Sequence, residues 1–376
     1  LKKFNHKGIE YRFSRYPETT NRSLRAWSAT DEYILLKLEE LAPKSKNIAI
    51  YNDRFGFLCC MLHNHQPFVI IERKSQQKSV EQNLALNNTG SQQGRYCSPL
   101  NVLPEKADIG IINIPKTMDL YRLYLDHVSR SLADDGVVFC AFMTKYFSPQ
   151  MLSIAEEYFE DVDQSLARKK SRVLVLRKKK KVPGKKLTNS ISFEFDDQHK
   201  EELKQYFGVF SGDNIDYATQ FLIRHLEVTE GDQKILDLAS GNGVIGRAVQ
   251  LKNPSSDLHL ADDSFLAIES SKLNLNTENT HFHWNDTLAD LKSNSFDLVV
   301  SNPPFHFGYE TNIEVSVNLF REVADVLKPD GRFICVANQH LNYKTHLDKL
   351  FQSVEVVSQT EKFILYKCQK TVAKVI

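Results

Sequence analysis

The chain has 376 residues, 41% of them apolar and 25% charged, and carries a formal net charge of +1. That length suits two domains, and the mix is that of a globular protein, not of a disordered or fibrous chain. No apolar run approaches the ~18 residues a membrane helix needs, so no membrane partner is expected.

The N-terminus reads LKKFNHKGIE, with no apolar stretch behind its charges, and so does not read as a secretory signal. NIAIYNDRFGFLCCML (47–62), ADIGIINIPKT (107–117) and LADDGVVFCAF mark the first half, and each returns in altered form in the second. Residues 168–186 then read RKKSRVLVLRKKKKVPGKK, with 11 Lys and Arg and no acid; the remaining 37 basic residues face all 47 acids. Such a strip is either a polyanion contact or a solvated, lysine-rich linker. The RNA-contact reading takes in Arg168, Lys169, Lys170, Arg177, Lys178, Lys179, Lys180, Lys181, Lys185 and Lys186.

The second half alternates strand and helix patterns. KILDLA (234–239) is a buried-strand run, followed by a glycine turn and the helical VIGRAVQLK. DLHLAD (257–262) is a second strand and SFLAIESSKLNLN a second helix; HFHWND (281–286) and FDLVVSN (296–302) are the next strands. A helix over about 312–328 stops at Lys328-Pro329-Asp330-Gly331. GRFICVAN, a helix near 343–351, and an antiparallel hairpin of SVEVVSQT and KFILYKC complete the chain. The βαβα alternation predicts an α/β fold with a mostly parallel sheet covered on both faces.

The halves match at a period near 190 residues: Asp108 and Asn113 precede Asp297 and Asn302 by 189 positions, and Gly136 precedes Gly331 by 195. SATDEYILLKL likewise parallels SGDNIDYATQFLIRHL. Two whole domains from an internal duplication are implied. The copies differ where chemistry would sit: the first glycine loop is NDRFG, with Gly56 alone, and NPPF has become NIPK. Without its glycines the first loop cannot bring backbone amides close to a ligand, so the N-terminal copy is expected to keep the fold and lose the cofactor. The six cysteines (Cys59, Cys60, Cys97, Cys140, Cys335 and Cys368) form no CxxC pair and read as buried thiols in a reducing cytoplasm. No metal site is expected.

LDLASGNGVIG (236–246) contains GxGxxG at Gly241, Gly243 and Gly246, and Asp262 follows at the end of the next strand. A dinucleotide fold has the same layout. Asp237 would repel a pyrophosphate, whereas a ligand bearing an amino acid group and a sulfonium centre would not be repelled. Asp286 ends the third strand, where an acid can accept from an adenine amine. The most specific signal is SNPPFH (301–306). An exocyclic amine on a base is a poor nucleophile because its lone pair is delocalised. The Asn302 side-chain oxygen and the Pro303 carbonyl can accept from its two N–H groups, with Pro303 and Pro304 stiffening the loop. Phe305 offers a face on which an extruded base can stack. His306 reads as a polar loop residue, because the methylated amine is acidic enough to lose its proton to solvent.

DLASGNGVIG, LADDSFLAIESSKLN, WNDTL and SNPPFH resemble the class I methyltransferases. With AWSATDEYIL, the NDRFG loop, IPKT, VFSGDNIDYATQFL and ANQHLNY, the whole chain resembles the bacterial large-subunit ribosomal RNA (guanine-N2)-methyltransferases. The resemblance implies two tandem class I, Rossmann-like methyltransferase domains, each a mostly parallel seven-stranded sheet with helices on both faces. Residues 1–176 would be the degenerate copy, 177–190 a basic linker and 191–376 the catalytic domain. It implies S-adenosyl-L-methionine as cofactor, held by Phe210, Ser211, Asp237, Ala239, Ser240, Gly241, Asn242, Gly243, Asp262, Asp263, Asn285, Asp286 and Asn302, with catalysis at Asn302, Pro303, Pro304 and Phe305. The implied partner is 23S ribosomal RNA, and the expected protein is a cytoplasmic monomer. The chain departs from the family loop DLGCGNG at Ala239 and Ser240, which puts a methyl group where backbone approaches ligand. Methylation of small-subunit (16S) rRNA, a protein-glutamine or DNA-adenine substrate, and a non-catalytic rRNA assembly factor are the open alternatives.

Overall fold

Ile48, Ala49, Ile50 and Tyr51 are apolar at consecutive positions, the mark of a parallel strand covered on both faces, and all four are fully buried. The computed structural model describes residues 1–41, 47–89, 95–181, 184, 186–276, 278–304, 306–307, 310–311 and 313–370. It divides into two units, Leu1–Leu187 and Thr188–Ile376. In the first, the sheet strands are β1 (Ile48–Tyr51), β2 (Phe68–Ile70), β3 (Tyr96–Cys97), β4 (Ala107–Asn113), β5 (Leu132–Met143), β6 (Phe159–Gln164) and β7 (Ser171–Lys179). In the second they are β8 (Lys234–Leu238), β9 (Asp257–Asp262), β10 (Thr280–Trp284), β11 (Phe296–Ser301), β12 (Leu327–Asn338), β13 (Ser353–Gln359) and β14 (Phe363–Gln369).

The two seven-stranded sheets have one topology: β3-β2-β1-β4-β5-β7-β6 and β10-β9-β8-β11-β12-β14-β13. The first five strands of each order are parallel, and the last pair is an antiparallel hairpin on the fifth. Local bonds repeat as well. The Asp108 carboxylate accepts from the Asn47 amide at 2.9 Å, and Asp297 accepts from the Lys234 amide at 2.9 Å. The duplication is therefore a duplication of fold, as expected.

In the second unit neighbouring residues on one strand serve opposite cores. Ile235, Leu258, Leu298 and Ile334 pack with the helices Tyr217–Arg224 and Val244–Lys252; Leu236, Val299 and Phe333 pack with the helix Ile313–Val326. Burying each such side chain contributes roughly 1.5–3 kcal/mol, enough to override any weak local preference at the strand ends. Some expectations change. The helix near 343–351 is only Lys344–Leu347. A hairpin of Thr188–Asp196 and His199–Tyr206, not foreseen, precedes the second sheet. Strand β7 runs on to Lys179 and that hairpin starts at Thr188.

Candidate active site

Parallel strands end on one edge of the sheet, and β8, β9 and β11 deliver Asp237, Asp262 and Asn302 there. The loop after β8 is closed by its own side chains. Asp237 Oδ2 accepts from the Gly246 amide at 2.8 Å, and Asp262 Oδ2 accepts from the Gly241 amide at 2.9 Å. The other Asp262 oxygen accepts from the Ser264 amide at 2.8 Å. The Asn285 amide donates to the Asp262 carbonyl at 3.1 Å, which draws the end of β10 into the same group. The Ser301 hydroxyl donates to the Leu238 carbonyl at 2.7 Å and so ties β11 to β8.

The three glycines have different duties. A Cβ on Gly241 would meet nothing within 4 Å, so this backbone borders open space. A Cβ on Gly243 would lie 2.6 Å from Leu275, and one on Gly246 3.2 Å from Leu260; these two are packing glycines. Ala239 sits at φ 59°, in the left-handed region that glycine adopts without penalty. The departure from the family loop is thus a matter of backbone conformation as well as of an added methyl group.

Asp237 is fully buried, and burial pushes its carboxyl up to about 7, with nearby Asp262 adding to the rise against the Gly246 amide. Its Oδ1 finds no hydrogen-bond partner among the described residues, and neither does the buried Ser240 hydroxyl. An orphaned buried carboxylate oxygen is costly unless a ligand completes it. The ammonium of an amino acid group would do so, and the open face at Gly241 leaves room for the rest. The residues present therefore fit S-adenosylmethionine.

Asn302 is held by the helix Tyr217–Arg224. Its Nδ2 donates to Asp216 Oδ2 at 3.1 Å and to Thr219 Oγ1 at 2.9 Å. A carboxylate only accepts, so the amide nitrogen must face Asp216, and both of its hydrogens are engaged. The acceptor oxygen Oδ1 is left facing the other way. Asp216 is itself the N-cap of this helix, accepting from the Ala218 and Thr219 amides at 3.1 and 3.3 Å. Pro303 is buried and Pro304 exposed; the Ser316 hydroxyl donates to the Pro304 carbonyl, and Tyr343 donates to Ser316 at 2.9 Å. Phe305 lies outside the described residues, and His306 falls in a two-residue strand paired with Thr311, not in open loop.

The other expected cofactor residues divide. Trp284 donates to the Asp263 carbonyl at 2.9 Å, and Asn285 donates to Asp290 at 2.6 Å and accepts from the Asp286 amide at 2.9 Å; these stand at the ends of β9 and β10. Phe210 is 67% exposed and precedes Ser211, whose carbonyl accepts from Gln205 at 3.3 Å. Asn242 faces inward: its Nδ2 donates to Gln205 at 2.8 Å and its Oδ1 accepts from the Val244 amide at 3.2 Å. Its side chain thus ties the loop to the preceding hairpin. Sequence reasoning missed Asp216, Thr219 and Gln205. The repeat held a signal: Asn113 donates to Asp31 at 2.7 Å in the first unit, the same pairing as Asn302 with Asp216.

The basic strip is not one uncompensated run. Arg168, Lys169 and Lys170 form a turn before β7, whereas Arg177, Lys178 and Lys179 close it, ~23 Å further along at ~3.3 Å per residue. Between them Val173, Leu174 and Leu176 are buried in the sheet. Four charges have acidic partners: Lys169 with Glu32 at 2.8 Å, Arg177 with Asp163 at 3.0 Å, Lys178 with Asp161 at 2.9 Å and Lys179 with Asp134 at 3.0 Å. Lys180, Lys181 and Lys186 are exposed in the connection, and Lys185 lies outside the described residues. In the first unit, Ile50 stands where β8 has Asp237 and Arg54 where the loop has Gly241, while Gly56 keeps the left-handed φ of 75° seen at Gly243.

The fold and this site define a class I, S-adenosylmethionine-dependent methyltransferase. Residues 1–181 match the RLMG N-terminal domain and residues 200–367 the methyltransferase small domain. The ribosomal RNA large subunit methyltransferase G of Streptomyces coelicolor is 30% identical over 366 residues, covering 95% of this chain and 97% of the relative. That of Psychromonas ingrahamii is 29% identical over 370 residues, covering 95% and 96%. Among solved structures, a T. thermophilus 16S rRNA N2 G1207 methyltransferase in complex with AdoMet and guanosine aligns over 98% of both chains, with a TM-score of 0.77 and 18% identity. The chain belongs to the ribosomal RNA large subunit methyltransferase G family. Among the described residues no helix is long and apolar enough to cross a membrane.

Proposed function

We propose that the second unit methylates the exocyclic 2-amino group of a guanine in 23S ribosomal RNA, the first unit contributing RNA contacts, in a cytoplasmic monomer. The observation that carries this reading is the orientation of Asn302. Asp216 and Thr219 take both amide hydrogens, so Oδ1 stands ready to accept from an amine. S-adenosylmethionine supplies an electrophilic methyl group on its sulfonium sulfur. Asp237 holds the ammonium of the amino acid group, Asp262 the ribose hydroxyls, and Asp286 the adenine amine, with Ala239, Ser240, Gly241 and Gly243 lining the approach. Phe210, Ser211, Asp263 and Asn285 border it.

Asn302 Oδ1 and the Pro303 carbonyl accept from the two N–H groups of the guanine amine. Partial positive charge grows on that nitrogen as it attacks, and acceptors fixed beforehand stabilise it most at that moment. Holding the amine in line with the methyl group supplies the remainder. The proton then leaves to solvent. The substrate guanine must be unpaired or extruded, because its amine is closed off in a paired stack. Labelled cofactor incubated with 23S rRNA, 16S rRNA and intact subunits, followed by nucleoside analysis, tests the reading. N2-methylguanosine in 23S rRNA is the expected product. Label confined to 16S rRNA replaces the substrate, and label on adenine or on protein alone ends the proposal.

A further inference from the structure

The second sheet also carries a group of imidazoles that methyl transfer does not use. The sequence alternates Asp-Leu-His at 257–259 and His-Phe-His at 281–283. Strand residues two apart share a face, and β9 pairs with β10 in the register His259 to His281. Asp257, His259, His281 and His283 therefore project from one face of two adjacent strands. His281 Nε2 lies 2.8 Å from Asp257 Oδ1, and His259 Nε2 lies 3.3 Å from Asp257 Oδ2. Ligand atoms of Asp257, His259 and His281 all lie within 4.8 Å of one another.

We propose that Asp257, His259 and His281 form a binding site for a zinc-class divalent ion that clamps edge strand β10 to β9. Ligands ~2.0–2.1 Å from a tetrahedral zinc ion stand ~3.3 Å apart. The separations of 2.8 and 3.3 Å, to different oxygens of Asp257, and a spread within 4.8 Å over the three groups admit the ion once the stacked rings of His259 and His281 turn toward it. Two imidazoles and one carboxylate are a donor set zinc accepts, with water in the fourth position. His283 completes the arrangement. Its Nε2 lies 2.8 Å from His259 Nδ1, and the two rings are parallel within 2°. When His283 accepts the Nδ1 hydrogen of His259, the lone pair of His259 sits on Nε2, the atom that faces Asp257. A metal-bound histidine commonly passes its second nitrogen to such an acceptor. The cysteine spacing that argues against a thiolate site says nothing about these imidazoles.

One neighbour opposes the ion. Lys234 Nζ lies 3.5 Å from Asp257 Oδ2. Its side chain is 33% exposed on a flexible stem and can turn to solvent. Asp257 sits at the opposite end of β9 from Asp262, five residues or ~17 Å away, and His281 stands three positions before Trp284, the residue paired with Asp262, so His281→Ala leaves methyl transfer intact.

The test uses the full chain, stripped with chelator and titrated with cobalt(II), a spectroscopic stand-in for zinc. One ion per chain with the strong visible bands of four-coordinate cobalt, displaced by zinc, is expected. His281→Ala, half exposed and so tolerated by the fold, should remove those bands, and His283→Phe should weaken binding ~10- to 100-fold. Lys234→Met should tighten it. Zinc at ~100-fold over its Kd should raise the midpoint of thermal unfolding by ~5–10 °C in the parent chain and not in His281→Ala. Absence of the four-coordinate bands, or equal binding by parent and His281→Ala, overturns the proposal and leaves the cluster a hydrogen-bonded ion pair.

Discussion

Asn302 has an amide whose two ends are chemically distinct, and its surroundings decide which end meets a substrate. With Asp216 and Thr219 on the nitrogen, Oδ1 acts as a fixed acceptor. Asn302→Ala should lower single-turnover methylation ~100-fold or more, by analogy with loss of one preorganised donor from an oxyanion site, with cofactor affinity unchanged. Asp216→Ser keeps a helix cap but is too short to hold Asn302; it should lower turnover ~10-fold, the scale of one charged hydrogen bond, without raising KM for RNA. His306→Ala should be close to silent across pH; a large loss there, with Asn302→Ala active, would establish a base mechanism instead. Asp237 carries a pH dependence. Its folded carboxyl stands at about 7, above the ordinary 3.8. A raised carboxyl favours the fold at low pH, so the free protein should lose that contribution as pH rises toward and through 7. Binding of a cationic amino group needs the carboxylate, so cofactor affinity should rise between pH ~5.5 and ~7, before the ligand's own amine (pKa ~7.7–8.0) begins to lose its proton. Calorimetric titration with cofactor across that range checks the affinity and thermal unfolding of the free protein checks the stability; Asp237→Asn should bind more weakly and without the slope.

Elements were easier to read from the sequence than the contacts between them. The strands β8, β9 and β11 could be placed within a residue or two, because short, largely apolar segments bounded by turns and alternating with helical patterns read as strands of a parallel sheet. The glycine loop and the NPPF segment were also legible, being local. What was not legible is long-range: Asp216 and Asn302 are 86 residues apart, and only the fold shows that they meet. The same limit hid the acidic partners of the basic strip. Arg177, Lys178 and Lys179 belong to a strand and face acids from other segments, Asp163, Asp161 and Asp134. Exposed pairs of this kind contribute ~0–1 kcal/mol, so phosphates can displace them, but each displaced acid reduces the gain. Lys180→Gln with Lys181→Gln should therefore flatten the dependence of log RNA affinity on log salt by ~0.7–0.9 per charge, whereas Arg177→Gln with Lys178→Gln should flatten it less. Filter binding at several salt concentrations separates the pairs; equal slopes in all variants would remove this strip from the RNA interface.

The whole molecule is one sheet topology used twice, and the proposal places the chemistry in the second copy alone. Both copies keep the aspartate that pins the first strand, the left-handed glycine that opens the next helix and the asparagine–aspartate pair. Asn113 in the first copy has no NPPF context yet still pairs with Asp31, so the pairing alone does not make an active site. The positions that changed are those that would touch a ligand: Ile50 for Asp237, and Arg54, in contact with the Phe55 ring, for Gly241. An isoleucine offers nothing to an ammonium, and a side chain at the second position fills the space that Gly241 leaves open. Calorimetry of the intact chain should give one S-adenosylmethionine per molecule. Gly241→Arg copies the first unit into the second, adding a side chain at a φ of 56° that favours glycine; it should abolish binding while far-ultraviolet circular dichroism stays unchanged. Arg54→Gly should create no new site, because Ile50 remains. A stoichiometry of two in the parent chain, or of one in Gly241→Arg, would mean that the first unit binds the cofactor and that its altered loop is a variant site.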